Sequence, residues 1–514
     1  MFEELGDAGL VAEIERETRA AAASDSRRLR LIAELVNRRV VEQDDELLHW
    51  ACDYWDAAAA EIAAAMGVAH RVASKEMRIA VALGDRFPRM AALFDEGRVS
   101  SRLIATITWR TLLVLDDEAL RLIDEELVQR VTEWGPMSVD KLEQAIDTLI
   151  ERYDPGALRR LREAVRARDV CLGKPDDVSG TVSLWGRLLA ADGAALKKRM
   201  AYVLSGVCAD DPRTAGQLRS DAMGVIAVLG DRLRCQCGNT DCPASAPDAR
   251  GANTVVYVLA DKAALEAEPD PYLSGDHDTI PIPREQVTVE PEPAPDASGH
   301  DAIEPSPPQQ VEDEKPKKKP TAVLLDGGVV PTPLLAELIA NGAKVRELIP
   351  PCDEPEPRYR PSAKLAAFVR MRDMTCMFPG CGRPAEFCDI DHTEPYPSGS
   401  THASNTKCLC RIHHLLKTFW IGWSDRQQPD GTVVWTTPSG LTYVTRPGSR
   451  LFFPHWNTTT AELPSATAAS ATTDRGVMMP RRKRTRAAQW ARQIRAERAR
   501  NDAYLAERAK PPPG

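Results

Sequence analysis

Apolar residues recur at helical spacing through the first half of the chain. Leu120, Ile123, Leu127 and Val131 share one face, Gly135 and Pro136 end that helix, and Ser138 can cap the next, which carries Leu142, Ala145, Ile146 and Leu149. An alanine-rich stretch from Asp56 to Met66 and the apolar positions Ile104 and Ile107 continue the pattern, with short turns such as Phe87-Pro88 between elements. These stripes predict an all-α N-terminal domain over residues 1–263. No catalytic set assembles within it.

The pattern then changes. Residues 264–320 turn to Pro, Glu, Asp and Ser (PEPAPDASGHDAIEPSPPQQVEDEKPKKKP), too poor in large apolar side chains to offset the entropy of ordering, which predicts a disordered acidic linker. A connector over 321–357 returns to a turn and a helix in LLDGGVVPTPLLAELIANGAKV. Residues 358–456 read as a small α+β domain: a helix from Arg360 to Met374, a strand ending near His392, a loop containing Asn405, and a helix beginning around Cys410. Beyond LLKTFW, Asp430-Gly431 sits between alternating polar and β-branched or aromatic residues and predicts an added β-hairpin. Residues 457–514 form a basic tail.

With 514 residues and 43% hydrophobic side chains, the chain can bury more than one core. The N-terminal MFEELGDAGLVAEIERE is acidic and amphipathic, and no apolar run approaches a membrane span, so a cytoplasmic protein without a membrane partner is expected. The 12 cysteines cluster at 235–242 and 376–410, which suits metal binding in a reducing compartment; Cys52, Cys171 and Cys208 read as buried thiols. The net charge of −9 opposes a nucleic-acid partner until its distribution is considered: Arg481, Arg482, Lys483, Arg484 and Arg486 crowd the tail as candidate phosphate contacts.

Cys376 with Cys381, and Cys410 with His413, are two close ligand pairs that one tetrahedral zinc can join, leaving no position open for substrate. His413 and His414 are adjacent, so the spacing leaves open which of them faces the zinc; Cys388 and Cys408 are nearby but less suited. Cys235, Cys237 and Cys242 are a possible second zinc site, with Asp241 or Cys208 able to supply a fourth ligand after folding, and unliganded thiols an equal alternative. His402 and His455 read as solvent-facing.

The stretch CMFPGCGRPAEFCDIDHTEPYPSGSTHASNTKCLCRIHHLLKTFW resembles the zinc-stapled HNH endonuclease motif. Its flanks, YRPSAKLAAFVRMRD and WTTPSGLTYVTRPGSRLFFP, resemble the mycobacterial thirteen-E-twelve repeat family, and ADDPRTAGQLRSDAM resembles the helical domain of unknown function found in those proteins. The resemblance implies a ββα-metal domain in which Asp391 and His414 hold a divalent cation (Mg2+ or Mn2+), His392 is the general base and Asn405 holds the loop or imidazole in place. It implies a DNA-cutting enzyme, connected with a mobile or repeat element; the alternative is an inactive zinc-containing DNA-binding or accessory protein.

Overall fold

Short polar side chains set where the helices begin. In a computed structural model of the chain, the first part runs through α1 (Asp7–Arg39), α2 (Asp45–Leu48), α3 (Tyr54–Met66), α4 (His70–Arg86), α5 (Pro88–Asp95), α6 (Ser101–Arg110), α7 (Asp117–Val131) and α8 (Val139–Tyr153). The structure describes residues 5–40, 45–131, 138–158, 169–175, 181–245, 257–268, 322–325, 328–340, 343–463 and 478–509. Asp53, Ser100 and Ser138 each accept an amide hydrogen at the start of α3, α6 and α8, satisfying a donor the helix itself leaves free. Leu120, Ile123, Leu127, Ile146 and Leu149 are buried together with Leu29, Ile32 and Val36 of α1, as the stripes predict. The turn expected at Gly135-Pro136 lies outside the described residues.

The chain packs as two compact units: Met1–Ala164 with Leu348–Gly514, and Val165–Glu347. These limits differ from the boundaries expected at 263 and 357. The N-terminal region is mostly helical rather than all-α, because residues 165–347 open with an antiparallel pair, β1 (Asp169–Pro175) and β2 (Val182–Arg187). Val170, Leu172, Val182, Leu184 and Trp185 are strand-favouring residues in runs too short to interrupt a reading dominated by helical neighbours. Two helices follow, α9 (Ala190–Leu204) and α10 (Ala215–Ala227), the second begun by a reciprocal cap between Thr214 and Gln217. The connector belongs to this same unit: β3 (Val258–Ala260) pairs antiparallel with β4 (Ala322–Leu324), and α11 (Thr332–Ala340) follows. Of the expected linker, 264–268 lies at the end of a short 3-10 turn, and 269–320 lies outside the described residues.

The remainder of the first unit is sheet-containing. Ser362 caps α12 (Ala363–Asp373); β5 (Cys388–His392) and β6 (Thr406–Cys410) form an antiparallel hairpin; and α13 (Arg411–Phe419) starts directly from the end of β6. A three-stranded meander follows, β7 (Ser424–Gln427), β8 (Val433–Thr436) and β9 (Thr442–Thr445), then α14 (Ser449–Phe452). Gly431, at the predicted turn, has φ +87° and abuts Arg372, so a larger residue there meets both strain and a clash. One apolar core joins Cys52 and Ala60 of the helical part to Leu365, Phe368, Leu409, Leu416 and Trp435. The helical and sheet-containing parts of this unit therefore share an interior.

The expected basic tail is not free along its described length. Residues Arg486–Arg508 form α15, whose Ile494 is buried and whose Trp490 packs against the helical core. Arg498 bonds Leu113 O at 2.7 Å and Asp154 Oδ2 at 2.7 Å, and Asn501 donates to two carbonyls beyond α8. Among the described residues, no helix is long and apolar enough to cross a membrane.

Candidate functional site

Two thiols come from a knuckle and two further ligands from the strand–helix junction. Cys376 and Cys381 flank a turn in which the Cys381 amide donates to Phe378 O at 3.1 Å and Gly380 takes φ +73°. A Cβ on Gly380 would fall 2.4 Å from Val68 O, so only glycine lets the knuckle lie against the backbone between α3 and α4. Cys410 ends β6 and His413 lies in the first turn of α13, which brings both to the knuckle. The four ligand atoms lie within 4.8 Å of one another.

The spacing fits zinc. A tetrahedral ion bonded to sulfur at about 2.3 Å and nitrogen at about 2.0 Å separates its ligand atoms by roughly 3.5 Å. His413 Nδ1 lies 3.5 Å from Cys376 Sγ and 3.3 Å from Cys410 Sγ. Burial pushes the Cys376 thiol well up, while hydrogen bonds from Cys376 and Cys381 hold Cys410 well below the ordinary thiol range. Phe378 stacks on the His413 ring at 3.9 Å and fixes its plane. Cys388 and Cys408 bond backbone carbonyls outside the cluster. The group could thus hold a metal such as zinc, with His413 rather than His414 facing the thiols.

Asp391 and His414 meet on the other face of the hairpin, and His392, the next strand residue, turns away from it toward Thr401 and Tyr359. In the hairpin's register Asp391 sits opposite Lys407, and His392 opposite Thr406. His414, one position past His413, points to this face: its Nε2 is 3.4 Å from Asp391 Oδ1 and its Nδ1 is 2.8 Å from Asp389 Oδ2. Lys407 and Lys417 both reach Asp391 Oδ2, at 3.0 and 2.6 Å, and Lys407 also pairs with Asp425 at 2.6 Å. Burial alone would raise the Asp391 carboxyl, but the two ammonium groups hold it down to about 2. Burial and Lys407 together lower Lys417 to about 8, and Asp425 and Asp391 keep the fully buried Lys407 charged against the same burial.

His392 is buried, which lowers its pKa and favours the neutral ring. Its Nε2 is 2.8 Å from Thr401 Oγ1, whose own hydrogen points to Tyr359 O at 3.4 Å. With its hydrogen so placed, the hydroxyl can accept from Nε2–H, the tautomer that puts the ring's lone pair on Nδ1. Tyr359 stacks on the ring at 5.3 Å. Asn405 holds the intervening loop at both ends, accepting from Glu394 N at 2.8 Å and donating to Glu394 O and Ser400 O. Lys407, Lys417, Thr401 and Tyr359 were not singled out by the sequence; a lysine within the strand-like run Thr406–Cys410 was the one available signal.

Other expected residues sit differently. His402 is not solvent-facing: it is 1% exposed and bonds Ser404 Oγ and Cys352 O, because it starts the turn that presents Asn405. Cys235, Cys237 and Cys242 are gathered with Cys208, all four sulfurs within 4.8 Å. Cys208 is therefore the fourth thiol of this cluster, as the fourth-ligand alternative had it, and not an isolated buried thiol. Arg482 and Arg486 are committed within the chain: each bonds Asp53 Oδ2 at 2.9 Å and Asp56 Oδ2, at 2.8 and 2.7 Å. Arg481 pairs with Glu46 at 3.4 Å, while Lys483 and Arg484 are exposed. The double change Arg482→Ala/Arg486→Ala strands two nearly buried carboxylates, and since the arginines are partly solvated it should destabilise the unit by about 1–3 kcal/mol. Thermal unfolding checks this, against an unchanged midpoint for Lys483→Ala/Arg484→Ala.

Residues 16–287 match the family described as a domain of unknown function, DUF222. An "Uncharacterized protein Rv2100" of Mycobacterium tuberculosis (strain ATCC 25618 / H37Rv) is 54% identical over 512 residues, covering 98% of this chain and 90% of the relative. "Uncharacterized protein Rv3776" of the same strain is 53% identical over 511 residues, covering 99% and 92%. The "Uncharacterized protein in est 3'region" of Mycobacterium tuberculosis is 50% identical over 365 residues, covering 70% of this chain and 95% of the relative. The chain belongs to the DUF222 family, and the first two of these mycobacterial proteins are its relatives over nearly its full length. No solved structure matches.

Proposed function

We propose that this protein is a metal-dependent HNH endonuclease that hydrolyses DNA phosphodiester bonds. The observation that carries the reading is the pairing of Asp391, on the antiparallel hairpin, with His414 of the helix that follows it, Oδ1 to Nε2 3.4 Å, with His392 next along the strand and Asn405 bracing the loop between the strands. Two ligands on a magnesium-sized ion at right angles lie about 3 Å apart, so this pair fits a divalent cation with only a small adjustment. Lys407 and Lys417 hold the second carboxylate oxygen and leave Oδ1 turned toward His414.

When bound, a divalent cation supplies charge neutralisation at the phosphate and the leaving oxygen. His392 supplies the base: neutral and with its lone pair on Nδ1, it takes the proton of an attacking water, while Thr401 retains Nε2–H and stabilises the imidazolium that forms. Asn405 closes the loop between the strands and keeps His392 aligned. Tyr359 covers one face of the imidazole, and Arg358 and Arg360 beside it are exposed, where they can meet phosphates flanking the scissile bond.

The second reading is an inactive zinc-containing DNA-binding or accessory protein. It is favoured by the two lysines, which already neutralise Asp391. Incubating the purified full chain with plasmid DNA and Mg2+ or Mn2+, with and without chelator, separates the two. Cation-dependent nicking or linearisation supports the enzyme. DNA binding without cleavage in either cation rejects it. His414→Ala removes one expected cation ligand and should shift the half-saturating cation concentration upward by about 10-fold or more, read by titrating cleavage; an unchanged titration would remove His414 from the cation site.

A further inference from the structure

We infer that Cys208, Cys235, Cys237 and Cys242 form a closed tetrathiolate zinc site that staples the loop after α9 to the loop after α10. Three of these thiols come from one eight-residue loop. The fourth arrives from 27 positions earlier, with Cys208 Sγ 3.4 Å from Cys235 Sγ. That separation is far longer than a disulfide, about 2.05 Å, and close to the edge of a zinc tetrahedron, about 3.8 Å for two sulfurs. Asp241, the other residue the sequence offered as fourth ligand, is exposed and outside the group.

The protein brings the two loops together with its own charges. Arg213, only 3% exposed, bonds both oxygens of Asp211, at 2.9 and 2.8 Å, as well as Asp221 Oδ2 at 2.8 Å and Arg234 O at 2.6 Å. Asp211 in turn accepts the Gln236 amide at 2.8 Å, one residue from Cys235 and one from Cys237. Inside the loop, Cys235 N bonds Ala244 O at 2.8 Å, Cys242 N bonds Asn239 O at 3.1 Å, and Gly238 takes φ +73° to make the turn between them. These ion-pair and backbone contacts hold the loop of Cys235, Cys237 and Cys242 against the segment that follows Cys208, and the four sulfurs lie within 4.8 Å of one another.

The energetic need is local. Among the described residues, the apolar core between α9 and α10 buries Val203, Ala222 and Leu233, with a satellite of Cys235, Cys242 and Ala244 beneath the loop. So small a core gains most from a metal staple, and four thiolates leave no coordination position for substrate, which makes the role structural.

The test is the zinc content of full-length protein purified under reducing conditions, compared between wild type and variants by elemental analysis. Cys208→Ser should lose one zinc per chain relative to wild type, and Cys208→His, which restores a ligand, should regain it. Asp241→Asn should keep the wild-type content. In Cys410→Ser protein, cobalt substitution should still give the intense charge-transfer absorption of a four-thiolate site. Equal zinc in wild type and Cys208→Ser overturns the proposal, whether or not the variant is destabilised. So does loss of zinc from Asp241→Asn with retention in Cys208→Ser, or a Cys208–Cys235 disulfide mapped in wild-type protein isolated without reductant.

Discussion

His392→Ala should lower DNA cleavage by about 10²–10⁴-fold at saturating DNA and cation, with zinc content, thermal midpoint and DNA affinity close to wild type. The imidazole is 6% exposed and its polar contact is Thr401, so its removal takes away a proton acceptor without taking a zinc ligand or breaking an ion pair. The loss should fall on the rate constant under single-turnover conditions and not on the DNA concentration needed for half-saturation. A variant that cuts at the wild-type rate would give the base to another group. Equal loss of fold and activity would make His392 a packing residue. Thr401→Val offers a finer control, since it keeps the volume and removes the acceptor of Nε2–H; if it leaves the pH profile of cleavage unchanged, the tautomer argument is wrong.

The positions that sequence could locate are those fixed by short-range spacing. Cys376 and Cys381 share a turn, Cys410 and His413 share a strand–helix junction, and periodicity placed Ile123 and Leu127 in a core they occupy. Which histidine faced which group was not legible, because adjacent residues on a helix diverge by about 100° and the direction depends on where α13 starts. Lys407 and Lys417 were missed because their meaning is relational: a lysine becomes a partner of Asp391 only once strand register sets it opposite, and Asp425 arrives from a separate strand. The same holds for Arg482 and Arg486. As a run of basic residues they suggested phosphate contacts, yet Asp53 and Asp56, more than 400 positions away, define their role.

That long-range packing also governs the cluster of Cys376, Cys381, Cys410 and His413, which could hold a metal such as zinc, and it makes the second large effect specific to this chain. Cys410→Ser should remove the zinc held by Cys376, Cys381 and His413 and abolish the cooperative unfolding of the sheet-containing part, since binding free energies of about 10–16 kcal/mol for structural zinc exceed the stability of most domains. Because Cys52 and Ala60 share a core with Cys376 and Cys410, the melting of the helical part should be broadened or shifted as well, read by far-UV circular dichroism. His70 provides the graded comparison. Its ring lies 5.6 Å from that of His413, its Nε2 contacts Asp56 at 3.3 Å, and Nδ1 of His70 and Nε2 of His413 are each buried without a hydrogen-bond partner. A zinc-bound imidazole ordinarily donates its second N–H to an acceptor, and the His70–Asp56 pair from the helical part is the group placed to receive it. His70→Ala should therefore weaken zinc retention against a competing chelator by about 10–100-fold while leaving the four ligands in place. Wild-type retention in His70→Ala would mean that the helical part merely packs beside the metal centre, and a Cys410→Ser protein that lacks one zinc per chain relative to wild type yet unfolds at the wild-type midpoint would show that this cluster is not what holds the fold together.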